Sequence, residues 1–436
     1  MPQLLVAIAV GFAVSIPLTF WLLKKVRIKS KARHFQVSLA IGLPTALFVF
    51  LLQTSFAVPV IVITVTVSLL LVALELTLRR IVASSGSRKV TFDKGKNGTL
   101  VPFEEARAAA GTYPYDYMTK EFWSEMKSYT ASRSKQKQKF KADNRDFKIQ
   151  QTRLDLFSSI NFNGNEYNVN SGRRFTTDHP NISDRKLFCL GNSTTFCEEV
   201  PDHLTYPSLL QRNLNTQNSS TKVINSGSAP ATLLDALGSF TAGASSELCV
   251  GDSIVVLFGV NECGWISQSS GARATSHIWL WLRALRGLAE FGFQIPTLLY
   301  LKLSPFSFRK FSKSAVSETI AILNDANKNY SNQGVRLLAV LQPNIYTLRT
   351  KSEYELNLEH KFSQDMKTLV LDAYSQLDFW IKTVPYGVSA THIFDNSKDS
   401  LFLDWCHVNA RGNEIIAKFI FEELQRRGML SIDSKL

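Results

Sequence analysis

The chain has 436 residues, of which 45% are hydrophobic and 19% charged. This excludes a disordered or fibrous protein and allows about two to four domains at roughly 100–200 residues each. Lys and Arg number 49 against 36 Asp and Glu, a net charge of +13, but six of the basic residues (Lys24, Lys25, Arg27, Lys29, Lys31, Arg33) crowd into one segment between apolar runs, which is a topology signal before it is a ligand signal. The five cysteines include no C-x-x-C pair, so neither a zinc site nor a disulfide framework is indicated.

Three apolar runs, about 3–23, 36–52 and 57–78, are read as transmembrane helices, and residues 1–83 as a membrane segment. The basic loop 24–35, with Arg79, Arg80, Arg88 and Lys89, orients them so that the rest of the chain faces the cytoplasm. Losing the short second run would send it to the periplasmic side instead. Residues 84–180 read as a linker and accessory region. Within it Ser132–Lys148 carries seven basic and two acidic residues and reads as a solvated, partly disordered face. A sharper reading is contact with anionic lipid heads. Aromatic residues do not interleave with the basic ones, so nucleic acid is discounted.

From 181 to 436 strand and helix signals alternate. Strands are expected at Lys186–Leu190, Lys222–Asn225, Ser253–Phe258 and Val335–Leu341. Helices are expected at Tyr206–Leu214, Ala231–Glu247, Ser276–Phe291, Ala315–Asn332, Glu353–Phe379 and Asn409–Arg427. This alternation argues an α/β fold with a parallel sheet covered on both faces. Sites in such sheets lie at the carboxyl ends of the strands.

Three strands end in small polar clusters, Gly191-Asn192-Ser193-Thr194-Thr195, Asn225-Ser226-Gly227 and Gly259-Val260-Asn261-Glu262. Asp404-Trp405-Cys406-His407 precedes the last helix. At one rim these supply the parts of acyl transfer. A serine hydroxyl needs a base, and an imidazole needs a carboxylate to fix its tautomer. The N–H groups of Ser193 and Gly227 and the Asn261 amide could stabilise an oxyanion.

The clusters GNSTTF, VINSG, GVNE and DWCH, in that order, resemble the four blocks of the SGNH (GDSL-type) hydrolases. The run LFCLGNSTTFCEEVPDHLTYPSLL is especially similar to membrane-linked bacterial members. The resemblance covers roughly 184–427. It implies a three-layer α/β/α flavodoxin-like fold, with Ser193 as nucleophile, His407 as base and Asp404 orienting it. It further implies an oxyanion hole from Ser193, Gly227 and Asn261, and neither metal nor organic cofactor. Two positions depart from the pattern: Asn192 stands where Asp or Gly is usual, and Glu262 where Asp is usual. Asn192, Glu262 and Trp405 are weak substrate-binding candidates. A literal G-D-S at Gly251-Asp252-Ser253 precedes a strand and reads as a turn.

The bland readings are a helix cap for Ser193, turn residues for Gly227 and Asn261, and a cap for Asp404, a role Asn409 suits better. Cys197, Cys263 and Cys406 read as small buried hydrophobes. Trp265, Trp279 and Trp281 read as core residues. The stretch Ile278–Phe308 reads as a lid or a surface leaning on the bilayer. The function expected is a membrane-anchored serine esterase acting on an acylated glycan or lipid. The alternatives are an O-acyltransferase in envelope polysaccharide assembly, or an inactive scaffold of the same fold.

Overall fold

The computed structural model describes residues 117–143, 160–228, 233–243, 247–263, 294–362 and 364–430, with isolated positions at 74, 77, 107, 285 and 288. Apart from those single positions, the three apolar runs, the helix expected over Ser276–Phe291 and Trp265, Trp279 and Trp281 lie outside the described residues. Among the described residues no helix is long and apolar enough to cross a membrane. The chain divides into two compact units, Met1–Val90 with Leu288–Leu298, and Thr91–Gly287 with Leu299–Leu436. The sheet and the site belong to the second.

Five parallel strands form the main sheet. They are β4 (Arg185–Gly191), β5 (Thr221–Gly227), β6 (Ser253–Phe258), β7 (Arg336–Leu341) and β8 (Gly387–Ser389), in the order β5-β4-β6-β7-β8. The burial patterns follow from position. Every residue of β6 is buried, as a strand covered on both faces requires. β5, at the edge, alternates buried and half-buried residues. Fully burying one Val, Leu, Ile or Phe contributes about 1.5–3 kcal/mol. Ile254 to Phe258 therefore supply on the order of 10 kcal/mol before chain entropy is set against it.

Strand order reverses at β4. The connection from β4 to β5 runs one way and that from β5 to β6 runs back. Right-handed crossovers then put α3 (Tyr206–Asn215) and α4 (Leu233–Gly243) on opposite faces. Helix α5 (Gln294–Asn332) connects β6 to β7. Helices α6 (Glu353–His360) and α7 (Gln364–Ile381) precede β8. The single helix expected over Glu353–Phe379 is therefore two, parted where Phe362 turns into the core. The last helix, α8 (Ala410–Arg426), packs on α3.

The accessory region is ordered where it is described. Helix α1 (Lys120–Asp143) runs through most of the basic segment expected to be solvated and partly disordered. The helix is held by packing ahead of that segment, whose side chains at 132–135 are exposed or half-buried. Phe122, Met126 and Tyr129, at i, i+4 and i+7, are buried. Tyr129 meets Phe162 and Tyr167, which belong to a small antiparallel sheet of β1 (Phe162–Asn163), β2 (Asn168–Asn170) and β3 (Arg173–Arg174) and its turn. Within the basic segment, Arg133 pairs with Glu198.

Candidate active site

β4 lines up with both neighbours at its carboxyl end, where Gly191 stands opposite Gly227 of β5 and Leu257 of β6. The exits of three strands thus share one rim, at the point where strand order reverses. That is where open α/β sheets form their ligand crevice. Gly191 has a φ of 154°, and a Cβ there would sit 2.2 Å from Thr195 Oγ1 and 2.7 Å from the Leu257 carbonyl. Only glycine allows the chain to turn so abruptly into helix α2 (Ser193–Phe196). Asn192 caps that helix by accepting the Thr194 N–H (3.2 Å). Ser193 is therefore the first helical residue rather than the cap, and its N–H has no acceptor within its own helix. Phe196, one turn on, stacks on Tyr129 at 5.7 Å, so the accessory region buttresses the segment carrying Ser193.

The loop before α8 brings up the imidazole. His407 Nε2 lies 2.8 Å from Ser193 Oγ, and His407 Nδ1 lies 2.7 Å from Asp404 Oδ2. The other Asp404 oxygen accepts the N–H groups of Cys406 (2.8 Å) and His407 (2.7 Å). A carboxylate can only accept, so Nδ1 carries a proton, and in the neutral imidazole Nε2 offers its lone pair to the serine hydroxyl. Burial alone would raise the Asp404 carboxyl, but the facing imidazole and the two N–H donors hold it below its usual range. Burial also disfavours the imidazolium, yet Asp404 outweighs it and raises His407 well above 6.5. The Asp404 side chain is 1% exposed and that of His407 14%, so the chain runs from the interior to an accessible serine. Asn409 Oδ1 accepts the Gly412 N–H and caps α8, leaving Asp404 to the imidazole.

The other expected site residues divide. Asn261 follows β6 at the same rim and is buried. The Gly227 N–H corrects its expected role, because it donates to Asn225 Oδ1 at 3.0 Å in a side-chain turn. Gly227 is needed for close packing instead, since a Cβ there would fall 2.3 Å from the Phe196 nitrogen. Glu262 is also corrected as a substrate-binding candidate. It is 1% exposed, and its two oxygens accept the N–H groups of Leu233 (2.7 Å) and Gly259 (2.6 Å), holding the rim together from inside. Burial pushes its carboxyl up, opposed by those donors. Trp405 is buried and stacks on Tyr346 at 6.2 Å, so it serves as packing rather than a substrate wall. Asn192 is likewise spent on its cap. At Gly251-Asp252-Ser253, Asp252 accepts the Cys249 and Lys186 N–H groups at the amino end of β6, away from the rim.

Several contributors were not legible in the sequence. Glu355 forms a capping box with Ser352, and its Oε1 accepts the Leu401 and Phe402 N–H groups (2.9 and 3.3 Å). It anchors the loop that carries His407. The S-x-x-E spacing at Ser352 signals the box but not the anchor. Gln342, leaving β7, meets Thr194 Oγ1 at 2.8 Å, while Asn192 Oδ1 lies 2.7 Å from the same hydroxyl. Arg174 is buried, reaching Asp202 Oδ1 (2.5 Å), the Cys197 carbonyl (3.1 Å) and the Val200 carbonyl (2.8 Å). It fixes the turn after α2, in which Glu199 is buried.

Asp404, Cys406 and His407 present donor atoms within 4.8 Å of one another. The imidazole and carboxylate are already bonded to each other, however, and burial pushes the Cys406 thiol up to about 12, so no thiolate is offered at neutral pH. Cys197, Cys263 and Cys406 are all buried.

No protein-family profile and no curated protein matches the chain. Solved structures similar to it include a member of the lipolytic G-D-S-L family from Veillonella parvula, at 13% identity and TM-score 0.33 over 56% of this chain and 99% of that one. Another is a lipase/acylhydrolase from Enterococcus faecalis, at 16% identity and TM-score 0.29 over 57% and 99%. A third is Axe2, an acetylxylan esterase from Geobacillus stearothermophilus, at 13% identity and TM-score 0.30 over 57% and 95%.

Proposed function

We propose that the chain is an SGNH-type serine hydrolase that cleaves or transfers an acyl ester. One observation carries the reading. A hydrogen-bonded chain runs from Asp404 through His407 to Ser193, with links of 2.7 and 2.8 Å, at the switch point of a parallel sheet. In the reaction Ser193 Oγ attacks the ester carbonyl and its proton passes to His407 Nε2. Asp404 steadies the imidazolium. The Ser193 N–H and the Asn261 amide are the oxyanion donors. Losing one such donor typically costs about 3–4 kcal/mol of barrier. The leaving alkoxide takes the proton from Nε2, and water or a sugar hydroxyl then resolves the acyl-enzyme. Acylated glycans or lipids are the substrate class. The apolar runs before residue 84 anchor the enzyme in a bilayer with the hydrolase unit on the cytoplasmic side, which a C-terminal reporter fusion tests.

The activity test is hydrolysis of short- and long-chain p-nitrophenyl esters by the full-length protein. Turnover is expected, with loss on Ser193→Ala and on His407→Ala. Turnover that survives either substitution, or none in the folded wild type, overturns the reading.

A further inference from the structure

Glu199 follows Ser193 by six residues, in the turn between α2 and the single helical turn Asp202–Leu204. It is 1% exposed, and its Oε2 has no hydrogen-bond partner among the described residues. An unpartnered buried oxygen of this kind costs about 1–3 kcal/mol. An apolar side chain of similar size would fill the space without that cost, so packing alone does not account for it.

The surroundings say what the carboxyl acts on. From its own turn Cys197 and Glu198 face it. Tyr117, from the segment before α1, faces it as well, with its hydroxyl accepting the Ala410 N–H at 3.2 Å. The turn that carries Glu199 meets the start of α8, where Cys197 Sγ lies 3.7 Å from Asn413 Oδ1, and the Glu199 carboxyl interacts electrostatically with Asp404, Cys406 and His407 of the loop before that helix. Of these groups only His407 can become positive. Glu198 is taken up by Arg133, and Arg174 by Asp202 and two carbonyls.

We infer that Glu199 is a positioning residue for the Ser193–His407 pair: a second buried carboxyl, not bonded to the imidazole, whose charge strengthens His407 as a base and whose protonation withdraws that support. The inference rests on reading Ser193 and His407 as the reacting pair. Asp404 fixes which nitrogen of His407 carries the proton. Glu199 sets, through a low-dielectric interior, how readily the other nitrogen accepts one. Burial raises the Glu199 carboxyl to about 7, opposed by the facing imidazole and its own backbone amide, so its charge changes across neutral pH. The strength of the base is thereby coupled to pH through a group that touches neither serine nor substrate.

The experiment is an NMR titration of the His407 ring nitrogens in the full-length, 15N-histidine-labelled protein, with signals assigned by their loss in His407→Asn. In Glu199→Gln the His407 midpoint is expected to fall by about 1 pH unit, and Glu199→Asp to restore it. A Glu199→Gln midpoint equal to that of the wild type overturns the inference. Should Glu199→Gln not fold, the wild type supplies a second measurement. Its His407 signal is expected to show a second inflection as Glu199 titrates, and a single clean inflection overturns the inference. This readout does not depend on turnover. Wild-type protein with no esterase activity but a shifted His407 would refute the hydrolase reading alone. An active enzyme with an unshifted His407 would refute only the role of Glu199.

Discussion

Replacing Asp404 with asparagine changes the relay and spares its scaffold. Asp404 Oδ1 accepts two backbone N–H groups, and the asparagine carbonyl can keep both. The amide NH2 then takes the place of Oδ2, 2.7 Å from His407 Nδ1. Two N–H donors cannot face each other, so Nδ1 gives up its proton and Nε2 acquires one. Nε2 now points a hydrogen at Ser193 Oγ across 2.8 Å and cannot take the serine proton. Wrong-tautomer substitutions of this kind cost about 10⁴-fold in kcat, or roughly 5 kcal/mol at 1.36 kcal/mol per decade. The assay is kcat for a p-nitrophenyl ester, with melting temperature as the control for folding. A folded Asp404→Asn protein that keeps more than a tenth of wild-type turnover would refute the reasoning.

Further outcomes follow from the same contacts. A general base works only when deprotonated, and Asp404 and Glu199 raise His407 above 6.5. The acid limb of kcat/KM is therefore expected to rise with pH through a midpoint above that value, and a midpoint at or below 6.5 contradicts it. Arg174→Met leaves Asp202 buried without its cation, although Asn168 still donates to both of its oxygens, and leaves two carbonyls without their donor, a loss of about 3–5 kcal/mol that should lower the melting temperature by roughly 10 °C. Gly227→Ala puts a methyl 2.3 Å from the Phe196 nitrogen, in the helix that carries Ser193. It is expected to cost about 1–3 kcal/mol in denaturant unfolding and at least about tenfold in kcat. Glu199→Gln removes an acid whose folded value lies at about 7 against an ordinary 4.5. A raised carboxyl favours the fold below 4.5 and loses that contribution, about 3 kcal/mol, as pH climbs past 7. The wild type should therefore lose stability relative to Glu199→Gln between pH 4.5 and 8, and parallel stability curves contradict this.

What could be read from the sequence was the framework of the sheet. β6 announces itself because a strand buried on both faces has no polar alternation to blur it. Three strand ends were legible beside it, since glycine and short polar residues mark where strands stop. Short elements were not legible. β8 spans only Gly387–Ser389, and β1 to β3 are shorter than any periodicity can reveal. Helix α1 was hidden because three buried residues carry its packing while lysines and glutamines dominate its composition. The Gly227 N–H was misassigned because the bond that claims it comes from a side chain two residues back. Glu199 and Arg174 escaped notice for a related reason: charged residues read as surface until coordinates bury them.

The central claim is that Ser193 is a nucleophile activated by His407. Incubating the full-length protein with a fluorophosphonate probe and mapping the adduct by mass spectrometry tests it most directly. One adduct on Ser193 is predicted, absent in Ser193→Ala and retained in Ser253→Ala. A folded protein that takes no label, or takes it on another serine, contradicts the account.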